Sequence, residues 1–125
     1  MSNSNARIIR SYRDLDVWQM AMDAVVDIYD VTRAFPSDER FGLTAQVRRA
    51  AVGIPSNIAE GHDRLGPGEY RRFVSVARGS VAEVETQLAI GGRLNYVEQS
   101  AINDLCSRYT RLSKMLYSLY GRLSL

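Results

Sequence analysis

Between Asp14 and Phe35 apolar residues recur in two interleaved series. Leu15, Trp18, Met22, Val25 and Tyr29 form one, and Val17, Ala21, Ala24, Ile28 and Val31 the other. Both alternate steps of three and four, the spacing that keeps side chains on one face of an α-helix. Asp16, Asp23, Asp27 and Asp30 fill the remaining face. One stripe serves one core. Two stripes predict burial on two sides, inside the chain's own fold and against a neighbouring subunit, with a single broad core face on a central helix as the alternative. The candidate subunit interface is Val17, Trp18, Ala21, Ala24 and Ile28. The helix is predicted over 14–35, with Asp14 as its N-cap and Phe35-Pro36 as its end.

Three more helices follow from the same spacing. The second is predicted over 39–61, with Leu43, Val47, Ala50, Ala51, Ile54 and Ile58 inward. Arg40 stands where a capping box after Ser37 needs Glu or Gln, so Ser37 or Asp38 is expected to cap alone. Pro55 removes a backbone donor and crowds the Ala51 carbonyl, which predicts a kink there, or else a break into two helices. His62 to Gly68 reads as a loop. The third helix is predicted over 67–94, with Pro67 in its first turn and Tyr70, Phe73, Val74, Ala77, Val81, Val84 and Leu88 on one face. Gly79, Gly91 and Gly92 lower its propensity, and its far end is expected to fray. The fourth, over 98–123, carries Ile102, Leu105, Tyr109, Leu112, Leu116, Leu119 and Leu123 in an unbroken three-four alternation. Short loops between long helices make neighbours antiparallel, so the expected fold is an all-α, up-down-up-down four-helix bundle over 14–123, preceded by a flexible basic arm, 1–13.

A polar seam is expected between the second and third helices. Gln46, Arg49, Gly53, Asn57 and Glu60 line one edge of the second. Arg72, Val76, Ser80, Glu83 and Gln87 line the matching edge of the third. Register places Arg49 near Glu83 and Glu60 near Arg72, predicting two ion pairs, with Gly53 letting the backbone approach Ser80. Such paired charges fix register in a bundle, and a structural role is the stronger reading of the cluster.

A chain of 125 residues is long enough to bury a single core. One cysteine, Cys106, forms no internal disulfide, and the opening residues contain no apolar run suited to a signal peptide. No stretch approaches the length of a membrane span, so a cytoplasmic protein with no membrane partner is expected. Net charge is only +2, but its distribution is uneven. The first helix is acidic, the later ones are mildly basic, and every basic residue except Lys114 is arginine, a side chain that forks onto phosphate or carboxylate.

Chemistry is sparse. Di-iron bundles need Glu-x-x-His pairs on inward faces, and none occurs. His62, the single histidine, falls in a loop, and Glu83 and Glu85 point to different sides of their helix. Cys106 has no histidine to activate it, and Gly66-Pro67-Gly68 lacks the ending of a phosphate loop. No catalytic residue, metal or cofactor is expected, and the protein reads as a non-enzyme.

Several strings carry a resemblance. Tyr12 to Trp18, Phe35-Pro36 with Glu39, Gly42-Leu43-Thr44 with Gln46, Arg48-Arg49-Ala50-Ala51 and above all Ile54-Pro55-Ser56-Asn57-Ile58-Ala59-Glu60-Gly61 resemble the 23S rRNA intervening sequence proteins. The match continues through Tyr70, Arg72, Phe73, Ala77-Arg78-Gly79-Ser80, Glu83 and Gln87-Leu88, over about residues 12–123. The resemblance implies a helical bundle assembled as a ring-like homopentamer. The fold it implies is also similar to that of the accessory protein of diversity-generating retroelements, a pentamer whose basic surface binds nucleic acid and a reverse transcriptase.

Two functional readings stand side by side. In the first, a homo-oligomer binds RNA or DNA backbone with low sequence selectivity through Arg7, Arg10 and Arg13 on the arm, Arg71 and Arg78 on the third helix, and Arg108, Arg111 and Lys114 on the fourth. No recognition helix, zinc knuckle or aromatic RNA motif is identifiable. In the second, rings present an acidic or apolar surface to a protein partner and nucleic acid plays no part. Asp16, Asp23 and Asp27, which repel phosphate, argue for it.

Overall fold

The computed structural model describes residues 8–123; Arg7 and most of the predicted arm lie outside them. Among the described residues the chain is all-α, with helices α1 (Asp16–Thr32), α2 (Leu43–Asp63), α3 (Pro67–Arg93) and α4 (Gln99–Arg122), short 3-10 turns at Tyr12–Asp14 and Ser37–Glu39, and no strand. Each helix touches two others: α1 meets α2 and α4, and α3 meets α2 and α4, while α1 and α3 make no contact. One apolar core joins all four. Its members are the predicted stripes, including Val47, Ile54 and Ile58 of α2, Val81, Val84 and Leu88 of α3, and Leu112 and Leu116 of α4, all 0 or 1 % exposed. Tyr109 is the largest side chain fully enclosed, and its hydroxyl donates to the Ala24 carbonyl at 2.9 Å, tying α4 to α1. Burial pushes that phenol well above its ordinary pKa, which favours the neutral form that donates this bond.

Helix ends differ from expectation, each for a local reason. Asp14 does not cap α1. It closes a capping box around the preceding 3-10 turn, accepting from the Ser11 and Arg10 backbone N–H at 3.2 and 2.8 Å while Ser11 Oγ accepts from Arg13 N–H at 3.2 Å. Residues 10–13 are therefore held in place rather than trailing as an arm, and Tyr12 packs edge-on to Trp18 with ring centroids 5.3 Å apart. Neither Ser37 nor Asp38 caps α2. The carboxylate of Glu39 does so from one turn upstream, Oε1 accepting from Leu43 N–H at 2.9 Å and Oε2 from the Tyr96 hydroxyl at 2.8 Å. Pro55 sits inside an α2 that runs unbroken to Asp63. At the C-terminus of α1, Arg48 donates to Thr32 Oγ1 at 2.9 Å and lies 4.4 Å over the Tyr29 ring, a tie that helical periodicity does not suggest.

The end of α3 stays helical to Arg93 instead of fraying. Asn95, with φ of 60°, takes the left-handed position that stops a helix. Tyr96 N–H then reaches the Gly91 carbonyl at 3.0 Å and Asn95 N–H the Gly92 carbonyl at 3.1 Å, which satisfies two orphan acceptors in a Schellman arrangement. Gly91 is small for a packing reason: a Cβ there would stand 2.8 Å from Phe35 Cζ, and the Phe35 ring in turn packs 5.4 Å from that of Tyr96. Phe35, Glu39, Gly91 and Tyr96 thus lock the segment after α1 to the segment after α3.

Two contrasting glycines test the α2–α3 packing. A Cβ at Gly61 would lie 2.6 Å from Phe73 Cβ, an atom fixed to its backbone, whereas one at Gly53 meets Ser80 Oγ at an ordinary 3.6 Å. Gly61→Ala is expected to destabilise by about 1–3 kcal/mol through overpacking. Gly53→Ala should be neutral or stabilising, by up to about 1 kcal/mol of helix propensity. Urea denaturation of both variants decides it. A second expectation concerns acid. The Leu43 N–H and then the Tyr96 hydroxyl hold the Glu39 carboxyl below its ordinary value of 4.5. Because the folded pKa is the lower one, its contribution is complete above the unfolded value and disappears as pH falls through the folded one. Thermal melts from pH 6 downward should therefore show Glu39→Gln starting with the lower Tm and losing less than the wild type below about pH 4.5.

Candidate nucleic-acid interface

Charge is segregated among the helices. On α1 stand Asp16, Asp23, Asp27 and Asp30 with no cation. On α3 and α4 stand Arg71, Arg72, Arg78, Arg93, Arg108, Arg111, Lys114 and Arg122 against Glu69, Glu83, Glu85 and Asp104. α1 and α3 occupy opposite corners of the four-helix cycle, so the acidic helix and the cations of α3 are kept apart, while α4 lies beside both.

The predicted cations divide into groups. Arg7 lies outside the described residues. Arg10 is exposed, and the Arg13 guanidinium lies 5.2 Å over the Tyr12 ring. Arg108 reaches across to α1 and forms a hydrogen-bonded ion pair with Asp27, so it is already committed. Arg111 and Lys114 are exposed on the outer face of α4. Arg71 and Arg78, seven residues apart and so two turns apart on one face of α3, meet α4 in the same manner. Arg71 Cζ lies 3.9 Å over the Tyr120 ring, with Nε donating to the Tyr120 carbonyl at 3.4 Å. Arg78 Cζ lies 4.8 Å over the Tyr117 ring, with Nε donating to Ser113 Oγ at 3.3 Å. Arg78, Tyr117 and Tyr120 line an open groove of about 570 Å³ that passes Gly79 and is edged by Ser75 and Ser113, and Arg71 lines an adjoining pocket that shares Ser75 and Tyr120 with it. Glu85 bounds the groove's far end, its carboxylate accepting from the Thr110 hydroxyl at 2.9 Å. Tyr117 and Tyr120 do not stand out in the sequence, although each follows directly on a core leucine, Leu116 or Leu119, and Tyr117 is 63 % exposed.

The polar seam forms in outline and differs in detail. Gln46, Arg49, Ser80, Glu83 and Gln87 do line one groove between α2 and α3. The two expected ion pairs do not form. Glu60 pairs with Arg64 at 2.7 Å and Arg72 with Glu69 at 3.1 Å, both within one helical turn or its extension, and Arg49 and Glu83 make no ion pair. Local partners win because they need no particular rotation of one helix on another. Asn57 donates back to the Gly53 carbonyl at 2.7 Å, and Gln87 Oε1 is buried with no hydrogen-bond partner. The seam's charges are solvated rather than buried.

Of the five residues expected at a subunit interface, Val17, Ala21, Ala24 and Ile28 are at most 7 % exposed and belong to the chain's own core, so they offer no surface to a second copy. Trp18 is half-buried and belongs to the other stripe. With Met22 and Val25 of α1 and Val52, Pro55 and Ala59 of α2, it lines an apolar groove on the outside of the fold. His62 stands edge-on to Tyr70, ring centroids 5.5 Å apart, and burial together with the nearby Glu85 charge pushes the Cys106 thiol above its ordinary pKa. Among the described residues no three His, Cys, Asp or Glu side chains gather as metal ligands would.

A family model described as 23S rRNA-intervening sequence protein matches residues 13–118. The chain belongs to that family. Its four-helix fold is similar to a crystal structure of a protein with unknown function from the S23 ribosomal protein family of Bacteroides thetaiotaomicron, with a TM-score of 0.77 and 19 % identity over 83 % of this chain and 97 % of that one. At that identity the likeness speaks for the fold alone. No curated protein matches the chain. These likenesses assign no role to the α3–α4 groove or to the seam, so the role of each in this 23S rRNA-intervening sequence protein rests on its own geometry.

For the seam, that geometry predicts little coupling. Arg49→Met and Glu83→Gln should each change stability by no more than about 0.5 kcal/mol, and the double variant should equal their sum. A coupling above about 1 kcal/mol in urea denaturation would restore the ion pair.

Proposed function

We propose that this protein is a non-enzymatic homo-oligomer that binds the backbone of RNA or DNA with little sequence selectivity. The observation that carries the reading is the segregation of charge: α1 carries aspartates and no cation, whereas cations outnumber carboxylates on α3 and α4, and Arg71 and Arg78 stand at the edge where α3 meets α4. A phosphate strand is attracted to such an edge without needing any base-specific group. Binding rather than catalysis is supported by the unactivated Cys106 and by a single histidine occupied against Tyr70.

We further propose an antiparallel up-down-up-down course for the helices and a cytoplasmic ring of five copies. Gly61 beside Phe73 and Gly53 beside Ser80 support the antiparallel course, because positions rise along α2 as they fall along α3. The ring follows from the family resemblance and is supported by the apolar groove around Trp18, Met22 and Val25, which a neighbouring subunit would cover. No helix of the described residues is long and apolar enough to cross a membrane. A ring multiplies each exposed arginine by symmetry, which lets a small charge per subunit become a sizeable one per assembly. The acidic outer surface of α1 favours a second reading, a scaffold for a protein partner.

Light scattering after size exclusion, followed by titration with labelled RNA and DNA at low and moderate salt, tests these proposals. A pentamer-sized mass with salt-sensitive binding is expected. Replacing Arg78, Arg111 and Lys114 together with Gln should weaken binding to all sequences alike. It should also make the plot of log affinity against log salt shallower by about 0.7–0.9 for each phosphate that is no longer neutralised. A pentamer that ignores both polymers would leave the scaffold reading, and a monomer would end the ring.

A further inference from the structure

We infer that the α3–α4 groove is a binding site for single-stranded nucleic acid, in which unpaired bases stack on Tyr117 and Tyr120 while Arg71 and Arg78 hold the adjoining phosphates. The inference rests on the nucleic-acid reading above and adds to it a place and a strand type. Three features of the groove point this way. Cation and aromatic ring alternate along it: Arg78 lies 4.8 Å over Tyr117 in the groove, and Arg71 lies 3.9 Å over Tyr120 in the adjoining pocket, with Tyr120 and Ser75 common to both. An arginine lying on a ring already marks the face that a base would share, and base-on-aromatic stacking is indifferent to which base is present. The polar bonds that now hold these guanidiniums are long, 3.4 Å to the Tyr120 carbonyl and 3.3 Å to Ser113 Oγ, near the limit of a hydrogen bond. A charge-assisted bond to phosphate is shorter and stronger, so exchanging them costs little. A Cβ on Gly79 would meet nothing within 4 Å, leaving open space next to Arg78, and Ser75 and Ser113 offer hydroxyls at the groove's edge.

Strand type follows from where the rings lie. In a duplex the base faces are stacked on one another and only edges reach the grooves, so the rings of Tyr117 and Tyr120 have no base face to stack on; unpaired bases can splay onto them. Arg71 and Arg78 are two turns apart, about 10 Å along α3, a span that suits phosphates flanking the bases rather than one phosphate held twice. Glu85, occupied by Thr110, keeps phosphate away from the far end, so the strand is expected to run past the Arg71 and Arg78 end and leave the groove before Glu85.

Fluorescence anisotropy with labelled 20-nucleotide oligouridylate, oligothymidylate and a 20-base-pair RNA duplex tests the site on the full chain. Wild type is expected to bind both single strands more tightly than the duplex. Tyr117→Ser, at an exposed position, should weaken single-strand binding about five-fold or more while leaving duplex affinity and the salt slope unchanged. Gly79→Gln fills the groove, keeps the charge and favours the helix, so it should weaken single strands in the same way without loss of stability. If wild type prefers the duplex, or if both variants bind single strands as wild type does, the groove is not the site and the broader nucleic-acid reading survives alone. If wild type binds none of the three probes at low salt, that broader reading falls, and this one with it.

Discussion

Four helices that share one apolar core can each cover only two neighbours, and the surface of this protein follows from the edges that this closure leaves open. The contacts run α1 to α2 to α3 to α4 and back to α1, with nothing between α1 and α3 or between α2 and α4. Tyr109 closes the cycle by donating its one hydrogen bond to the backbone of α1 at Ala24. A fully enclosed phenol that lacked this acceptor would leave its desolvated hydroxyl uncompensated. Between α2 and α3 the approach is tight enough at Gly61 to exclude a methyl group. Between α3 and α4 it is loose enough at Gly79 to leave a groove. The same core therefore makes one edge a packed contact and another an accessible cleft.

The stripes that build this core were legible in the sequence, because periodicity depends only on residues within one helix. In α4 every stripe residue from Ile102 to Leu119 is buried. What periodicity does not carry is how the chain enters and leaves a helix. Asp14 before α1 has the residue type of an N-cap but serves the 3-10 turn instead, and the carboxylate that caps α2 comes from Glu39, four residues before Leu43. On α1, two stripes were visible but not which of them faces inward. The small, well-fitting Ala21 and Ala24 lie in the core, and the bulky Trp18 and Met22 are left on the outer groove, a choice decided by how close α1 must come to its neighbours.

The candidate site was less legible, for a related reason. Charge singles out Arg71 and Arg78, yet their partners sit 49 and 35 residues further along, at Tyr120 and Ser113, and such pairs depend on the rotation of α4 against α3. Ion pairs across α2 and α3 were expected from register alone. Register did bring Arg49 and Glu83 to one groove, but an exposed pair must hold two long side chains still for a small Coulomb gain, and partners on the same helix ask for less ordering. Glu60 with Arg64 and Arg72 with Glu69 follow that rule.

Distance also decides whether the aspartates of α1 would repel a strand from the α3–α4 edge. Packed helices sit about 8–10 Å apart, so corners across the diagonal are separated by roughly 11–14 Å before side chains are counted. At physiological ionic strength exposed charges are screened over about 8 Å, less than that separation. Of the four α1 aspartates, Asp27 is neutralised by Arg108 and Asp30 by Arg33. The net repulsion felt at Arg71 and Arg78 is therefore small, whereas a phosphate bound there would lie in direct contact with a guanidinium, where attraction is strongest and screening least effective. Acidity on α1 and the phosphate affinity proposed for α3 are compatible in one small domain because the apolar core holds the two helices on opposite corners.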